Sequence, residues 1–204
     1  MRDAVNLLRR ISGSRPAASA EERCDMCRAP IDGGHSHVVD IRGRSMMCAC
    51  RPCYLLFTDA GADLAYRSVP DRYLTFPDVR IAGGQWDELG IPVGIAFLFT
   101  HSVERRVVAF YPGPAGATES ELPLDAWDSI VAANPALGTA RDDVEAIMVR
   151  RDGGETTCYL VPIDACYELV GHLRLLWRGF DGGQEARARL ETFFSDVGNR
   201  ARPA

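Results

Sequence analysis

At 204 residues, with 47% apolar and 25% charged side chains, the chain has room for one substantial domain and a small accessory module, and a third domain would be hard to fit. A formal net charge of −5 argues against general affinity for nucleic acid or anionic membrane. All 23 basic residues are arginine, a bias that GC-rich codon usage produces, and the lack of lysine excludes Schiff-base chemistry and a phosphate-loop lysine.

Residues 1–22 read as a flexible N-terminal segment. Val5, Leu7, Leu8 and Ile11 suggest a short helix over 4–11 that frays in isolation, and a Ser/Ala/Pro-rich linker follows. Arg9-Arg10 resembles a twin-arginine signal, but the residues after it lack an apolar run, and no stretch approaches the ~20 apolar residues of a membrane span. A cytoplasmic protein is expected.

Residues 23–58 carry the most specific pattern. CDMC places Cys24 and Cys27 on one tight turn, and CRPC places Cys50 and Cys53 on another. Four thiolates so arranged suit a tetrahedral ion at about 2.3 Å, although the 22 residues between the pairs exceed the roughly 15 to 20 of the common template. Seven cysteines, an odd number, point the same way: to metal chemistry in a reducing compartment rather than disulfides. HSHVVDI (35–41) and SMMCAC (45–50) flank Arg42-Gly43-Arg44, which predicts a β-hairpin with Gly43 at a positive-φ position, hence a zinc-ribbon-like module. Nine arginines against six acidic residues give positions 1–58 a formal +3, which four thiolates on one divalent ion reduce to about +1, a weak nucleic-acid footprint.

His35, His37 and Cys48 are alternative ligands or neighbours of the ligands. If Arg42 and Gly43 form the turn, His37 faces Cys48 and His35 faces Cys50; a slip of one residue brings His37 opposite Cys50. Zn²⁺ is the expected ion and Fe the alternative. Rubredoxin-like iron knuckles usually have Gly after the second cysteine, whereas Arg28 and Tyr54 stand there in this chain, which favours zinc.

Residues 59–90 form a transition segment broken by Pro and Gly, and its Tyr66, Tyr73 and Phe76 are expected to pack the module against the larger domain. Residues 91–198 contain a pseudo-repeat. LPLDAWDSIV (122–131) and VPIDACYELV (161–170) each follow a predicted hairpin, 94–100 with 107–111 and 144–150 with 156–161, so the pattern is ββα twice. Asp125 and Asp164 are read as helix N-caps. A last helix over about 184–197 places Ala186, Leu190, Phe193, Phe194 and Val197 at helical spacing, and 199–204 is a tail. The expected fold class is α+β: a zinc-ribbon-like module, then an antiparallel sheet with helices on one face.

Outside the module, Cys158 and Cys166 read as small buried apolar residues; Cys166 would be a reactive thiol only if its sulfur faced a helix N-terminus. WRGFDGGQEA (177–186) fits a Gly-capped turn between helices better than a phosphate loop, and no catalytic constellation occurs. Enzymatic activity is not favoured.

The strings HSHVVDIRGRSMMCACRPCYLLFT (35–58), FYPGPAGATES (110–120) and YLVPIDACYELV (159–170) resemble an uncharacterised actinobacterial family often encoded beside nickel-iron uptake hydrogenases, over nearly the whole chain after about residue 23. The resemblance implies an accessory protein for hydrogenase assembly, maturation or electron transfer, with a hydrogenase subunit or maturation factor as partner. It carries over Cys24, Cys27, Cys50 and Cys53, with His35, His37 and Cys48 as further candidates. Two alternatives stay open beside a zinc-binding adaptor: a rubredoxin-like iron electron carrier, and a metal-delivery protein using His35, His37 and Cys48.

Overall fold

The computed structural model describes residues 22–59, 65–114, 116–120, 125–152, 154–179 and 182–204. The helix expected over 4–11 and the start of the 122–131 block lie outside them. Two sheets organise the chain. The first has three strands in the order β2-β1-β3: β1 (Ser36–Asp40), β2 (Ser45–Ala49) and β3 (Tyr66–Ser68), all antiparallel. A short helix, α1 (Arg51–Leu55), follows β2.

The second sheet has seven strands in the order β10-β4-β9-β8-β5-β6-β7. Its centre is two hairpins, β5 (Ile95–His101) with β6 (Arg106–Gly113) and β8 (Glu145–Asp152) with β9 (Glu155–Pro162). Edge strand β7 (Gly116–Glu119) pairs with β6, and β4 (Leu74–Thr75) pairs with β9. The C-terminal residues expected as a tail supply β10 (Arg202–Pro203), parallel to β4. The stretch 59–90 thus gives one strand to each sheet, together with α2 (Gly83–Glu88).

Both predicted hairpins form, and each leads to a helix, α3 (Asp125–Ala133) after β7 and α4 (Ile163–Leu176) after β9; the last helix is α5 (Gly183–Arg200). The two halves do not place their helices alike. Trp127 and Ile130 of α3 pack with Trp86, Leu98, Ile147 and Leu160 on one face of the sheet. Cys166 and Leu169 of α4 pack with Phe97, Met148, Val161 and Phe194 of α5 on the other.

The expectation of helices on one face is therefore corrected, and the reason is visible in β8. Five consecutive residues from Glu145 to Val149 are buried, so both of its faces are covered, as in a strand at the centre of a three-layer arrangement. A period-two strand with one wet face would have alternated. The N-cap reading also changes. Pro162 is the N-cap of α4, and Asp164 lies inside the first turn, where its Oδ1 accepts from the Ala165 N–H at 2.8 Å.

The buried run contains one charge. Glu145 is fully buried and accepts from Arg72 through Nε at 2.7 Å and a terminal guanidinium nitrogen at 2.6 Å, with the Arg141 N–H at 2.8 Å on the same carboxylate. The fork ties the segment before β4 to the sheet centre.

The three-stranded sheet docks on the larger one through residues that the sequence did not single out. Val39 and Val69 join the α4 and α5 side of the core, Arg44 pairs with Glu104 at 2.7 Å, and Arg67 reaches Asp143 at 3.1 Å. Tyr66 instead packs inside the small module against Phe57, Tyr73 lies under the Arg200 guanidinium, and Phe76 is buried on the opposite face of the large sheet. Of the three, Tyr73 alone packs against the core cluster that Val39 and Val69 join, and Tyr66 and Phe76 lie away from the junction they were expected to form. No helix among the described residues is long and apolar enough to cross a membrane.

Replacing Arg72 by Ala strands the Glu145 carboxylate without its cation. We expect a loss of about 3 kcal/mol, read as a lower denaturant midpoint at unchanged m-value; a midpoint unmoved by Arg72→Ala would show that the fork is not needed.

Candidate metal centre

The hairpin sets the site. Its register pairs His37 with Cys48 and Val38 with Met47, so Arg42 and Gly43 centre the loop, as in the first of the two registers considered. The loop itself is one residue longer than the Arg42-Gly43-Arg44 connection expected. It spans four residues, Ile41–Arg44, and the left-handed residue is Arg44 at φ 52° rather than Gly43. Glycine is needed at 43 for space: a Cβ there would fall 2.7 Å from Asp40 Oδ2, because the Asp40 carboxylate folds over the loop to accept from the Gly43 N–H at 2.8 Å.

The first cysteine knuckle is a tight turn closed by two backbone hydrogen bonds, Cys24 N–H to the Ala29 carbonyl and Arg28 N–H to the Cys24 carbonyl, both 2.9 Å. Arg28 takes φ 65°, the left-handed conformation in which glycine is favoured. The knuckle keeps the backbone shape that glycine usually supplies, at a cost of about 1 kcal/mol for an L-residue. At the first knuckle the missing glycine therefore says nothing against iron, whereas Tyr54, after the second, is helical and keeps no such shape. The second knuckle is the start of α1: Cys50 is its N-cap, Pro52 sits in the first turn, and Cys53 is buried.

These two turns bring Cys24, Cys27, Cys50 and Cys53 together, with their sulfurs within 4.8 Å of one another. Cys27 and Cys50 Sγ are 3.6 Å apart and not bonded to each other. A tetrahedral ion with sulfur ligands at 2.3 Å has donor-to-donor edges of roughly 3.8 Å, so the spacing fits a Cys₄ metal site. The group is compatible with a zinc-ribbon-like module, and the same donor set accommodates zinc or iron.

The electrostatics agree with a cation-seeking cluster. Burial raises the Cys24 thiol, but the backbone N–H groups of Cys50, Cys27 and Met26 outweigh it and bring Cys24 down from 9.0 to about 6. Cys53 is pushed up to about 12 by hydrogen bonds with the neighbouring sulfurs of Cys50 and Cys27, with burial adding to them. One thiolate is favoured and its neighbours resist further charge, which is the situation that a bound cation relieves.

Apart from its dock on the larger sheet, the module has little apolar interior. Its own core has four buried residues among those described, Cys24, Val38, Ala49 and Cys53, and two of those are candidate ligands. Domains below about 40 residues usually need a metal, disulfides or a partner surface to persist.

His35, His37 and Cys48 gather into a group of their own beside the four cysteines. Asp25, inside the first knuckle, links the two groups: its N–H donates to the Cys48 carbonyl and its carboxylate accepts from the Cys48 N–H, both at 2.8 Å. Cys158 and Cys166 belong to neither group and are buried in the large core. Burial pushes Cys158 up to about 12 and raises Cys166 as well, with the Asp164 charge adding to the rise. Cys166 is thus not an activated thiol, despite its place near the start of α4.

Sequence reasoning missed one polar cluster. His101 and Asp143 face a cavity of about 150 Å³ between the two sheets, lined also by Val39, Arg44, Phe99 and Tyr167. Asp143 is held by Arg67 and by the Ser102 N–H at 3.0 Å, with His101 Nδ1 at 3.7 Å. Its residues come from segments far apart in sequence, and none has a motif around it.

Residues 23–201 match a family model, that of a family of unknown function. The chain belongs to that family, DUF5947. No curated protein and no solved structure matches it. The DUF5947 match covers the three-stranded sheet and every strand of the larger one except β10, so the cysteine module and the large sheet belong to one family unit.

Two measurements follow from the thiol environments. In metal-free native protein, an alkylating probe should label Cys27 quickly and leave Cys158 and Cys166 unmodified until the protein unfolds; early labelling of Cys166 would contradict its burial. Metal affinity of the four-cysteine group should fall as pH falls, because protons compete for thiolates, and should fall more steeply below about pH 6, where the Cys24 proton must also be displaced. Competition with a chromophoric chelator across that range reads the slope.

Proposed function

We propose that the protein is a metal-binding accessory protein in which Cys24, Cys27, Cys50 and Cys53 hold one Zn²⁺ in a zinc-ribbon-like module. The observation that carries this reading is the convergence of four sulfurs from two knuckles in a module with almost no core of its own. In such a closed site the ion fastens two turns and a hairpin together, and no ligand position remains for chemistry. The role assigned to the module is display of a surface.

The partner is a protein. Leu55 and Leu56 stand exposed at the end of α1, beside the cysteine group. The resemblance of residues 35–58, 110–120 and 159–170 to an actinobacterial family encoded beside nickel-iron hydrogenases supports a hydrogenase subunit or maturation factor as that partner, in the cytoplasm. Iron in the same four sulfurs is the second reading, an electron carrier, and the left-handed Arg28 keeps that knuckle geometry available.

Elemental analysis with a visible spectrum on anaerobically purified protein separates the two. One zinc per chain without visible absorption is expected; iron with thiolate charge-transfer bands would replace the adaptor with the electron carrier. Mild co-purification from the native host should recover a hydrogenase component, and Leu55→Ser with Leu56→Ser should reduce the recovery. Capture of none would remove the hydrogenase assignment.

A further inference from the structure

His35, His37 and Cys48 place one donor atom each within 4.8 Å of the others, across the β1–β2 hairpin. The two imidazole rings lie 4.9 Å apart, centroid to centroid, and meet at 67°. In both rings Nδ1 is committed to a group that can only accept. His35 Nδ1–H donates to the Asp32 carbonyl at 2.7 Å, and His37 Nδ1–H donates to Asp164 Oδ2 at 2.8 Å.

Each neutral ring is therefore in the tautomer that leaves Nε2 with a free lone pair. A carbonyl or carboxylate behind the imidazole is also the arrangement that orients histidines bound to metals. His35 Nε2 is buried and has no hydrogen-bond partner. An unpaired buried acceptor costs about 1 to 3 kcal/mol, and a cation at that position removes the cost. Glu22 Oε2, 3.5 Å from His35 Nδ1, adds negative charge nearby.

We propose that His35, His37 and Cys48 form a second metal site, of three ligands, for a borderline divalent ion such as Zn²⁺, Ni²⁺ or Co²⁺. Two imidazoles and one thiolate suit ions of that class and disfavour Mg²⁺ and Ca²⁺. A fourth position is left for water or for a donor from a partner, so this ion exchanges, in contrast to one enclosed by four cysteines. The site uses none of those four cysteines and goes beyond the reading given for them. Asp164 belongs to the first turn of α4, so the ion also bridges the three-stranded sheet and the large domain.

Cobalt titration of full-length apoprotein under reducing anaerobic conditions tests this, because the visible spectrum of Co²⁺ distinguishes four sulfur donors from two nitrogens and one sulfur. We expect two equivalents for the native sequence, one for His35→Ala/His37→Ala/Cys48→Ser, and one, of the mixed-donor type, for Cys24→Ser/Cys27→Ser. One equivalent that the triple variant retains would overturn the proposal and leave the four-cysteine reading standing. One equivalent that the triple variant loses and the Cys24/Cys27 variant keeps would do the reverse. Asp164→Asn spares every ligand and should weaken only the mixed-donor equivalent, by about tenfold. Equal affinity in that variant would show that Asp164 does not position His37, and would overturn the proposal if the triple variant fails to fold.

Discussion

The cysteine module is organised around four sulfurs more than around any apolar contact. Among the described residues of its core, Val38 and Ala49 are the buried ones that are not candidate ligands, and the sheet relies besides on its dock to the larger domain through Val39 and Val69. Everything else in the module is arranged around that cluster: the left-handed Arg28 closes the first knuckle, Cys50 begins α1, and the Asp40 carboxylate shapes the hairpin loop so that β1 and β2 stay in register. The large sheet has the opposite character. It is held by apolar side chains on both faces, with the fully buried Glu145 matched by Arg72.

How much of this was legible follows from the range of the interactions. The four-cysteine group was readable because its members come in local pairs of fixed spacing, and the hairpin register followed from a turn centred on Arg42 and Gly43. The two central hairpins and α5 were readable because their apolar period is local as well. What was not readable depends on partners far along the chain. That α3 and α4 cover opposite faces could have been suspected from the unbroken run Val144–Val149, which has no wet side, but not from the likeness of the 122–131 and 161–170 blocks. Similar sequences start similar helices; the extra strand β7 and the distant residues they meet decide where those helices lie.

The positions misjudged are ones where a side chain does work that a simpler rule gave to something else. Asp164 had the look of a cap, yet the cap is Pro162 and the carboxylate faces a histidine 127 residues away. Gly43 had the look of a left-handed residue, yet it is small to admit Asp40, and Arg44 takes the strained conformation. Tyr66 and Phe76, expected at the junction, are spent elsewhere, and the junction is built from two valines, two arginine pairs and the His37–Asp164 bond. Polar junctions of this kind hold orientation through geometry more than through buried area.

Asp25 sits between Cys24 and Cys27, and its reciprocal hydrogen bonds with the Cys48 peptide make one stretch of backbone common to both donor groups. Were the knuckle cysteines to take an ion, the strand that presents Cys48 would share the constraint, and coupling between the two groups would be a single free energy acting equally in both directions. Through the His37–Asp164 bond the same chain of contacts continues into the first turn of α4. A continuous run of hydrogen bonds and strand pairing thus joins a surface knuckle to the larger domain.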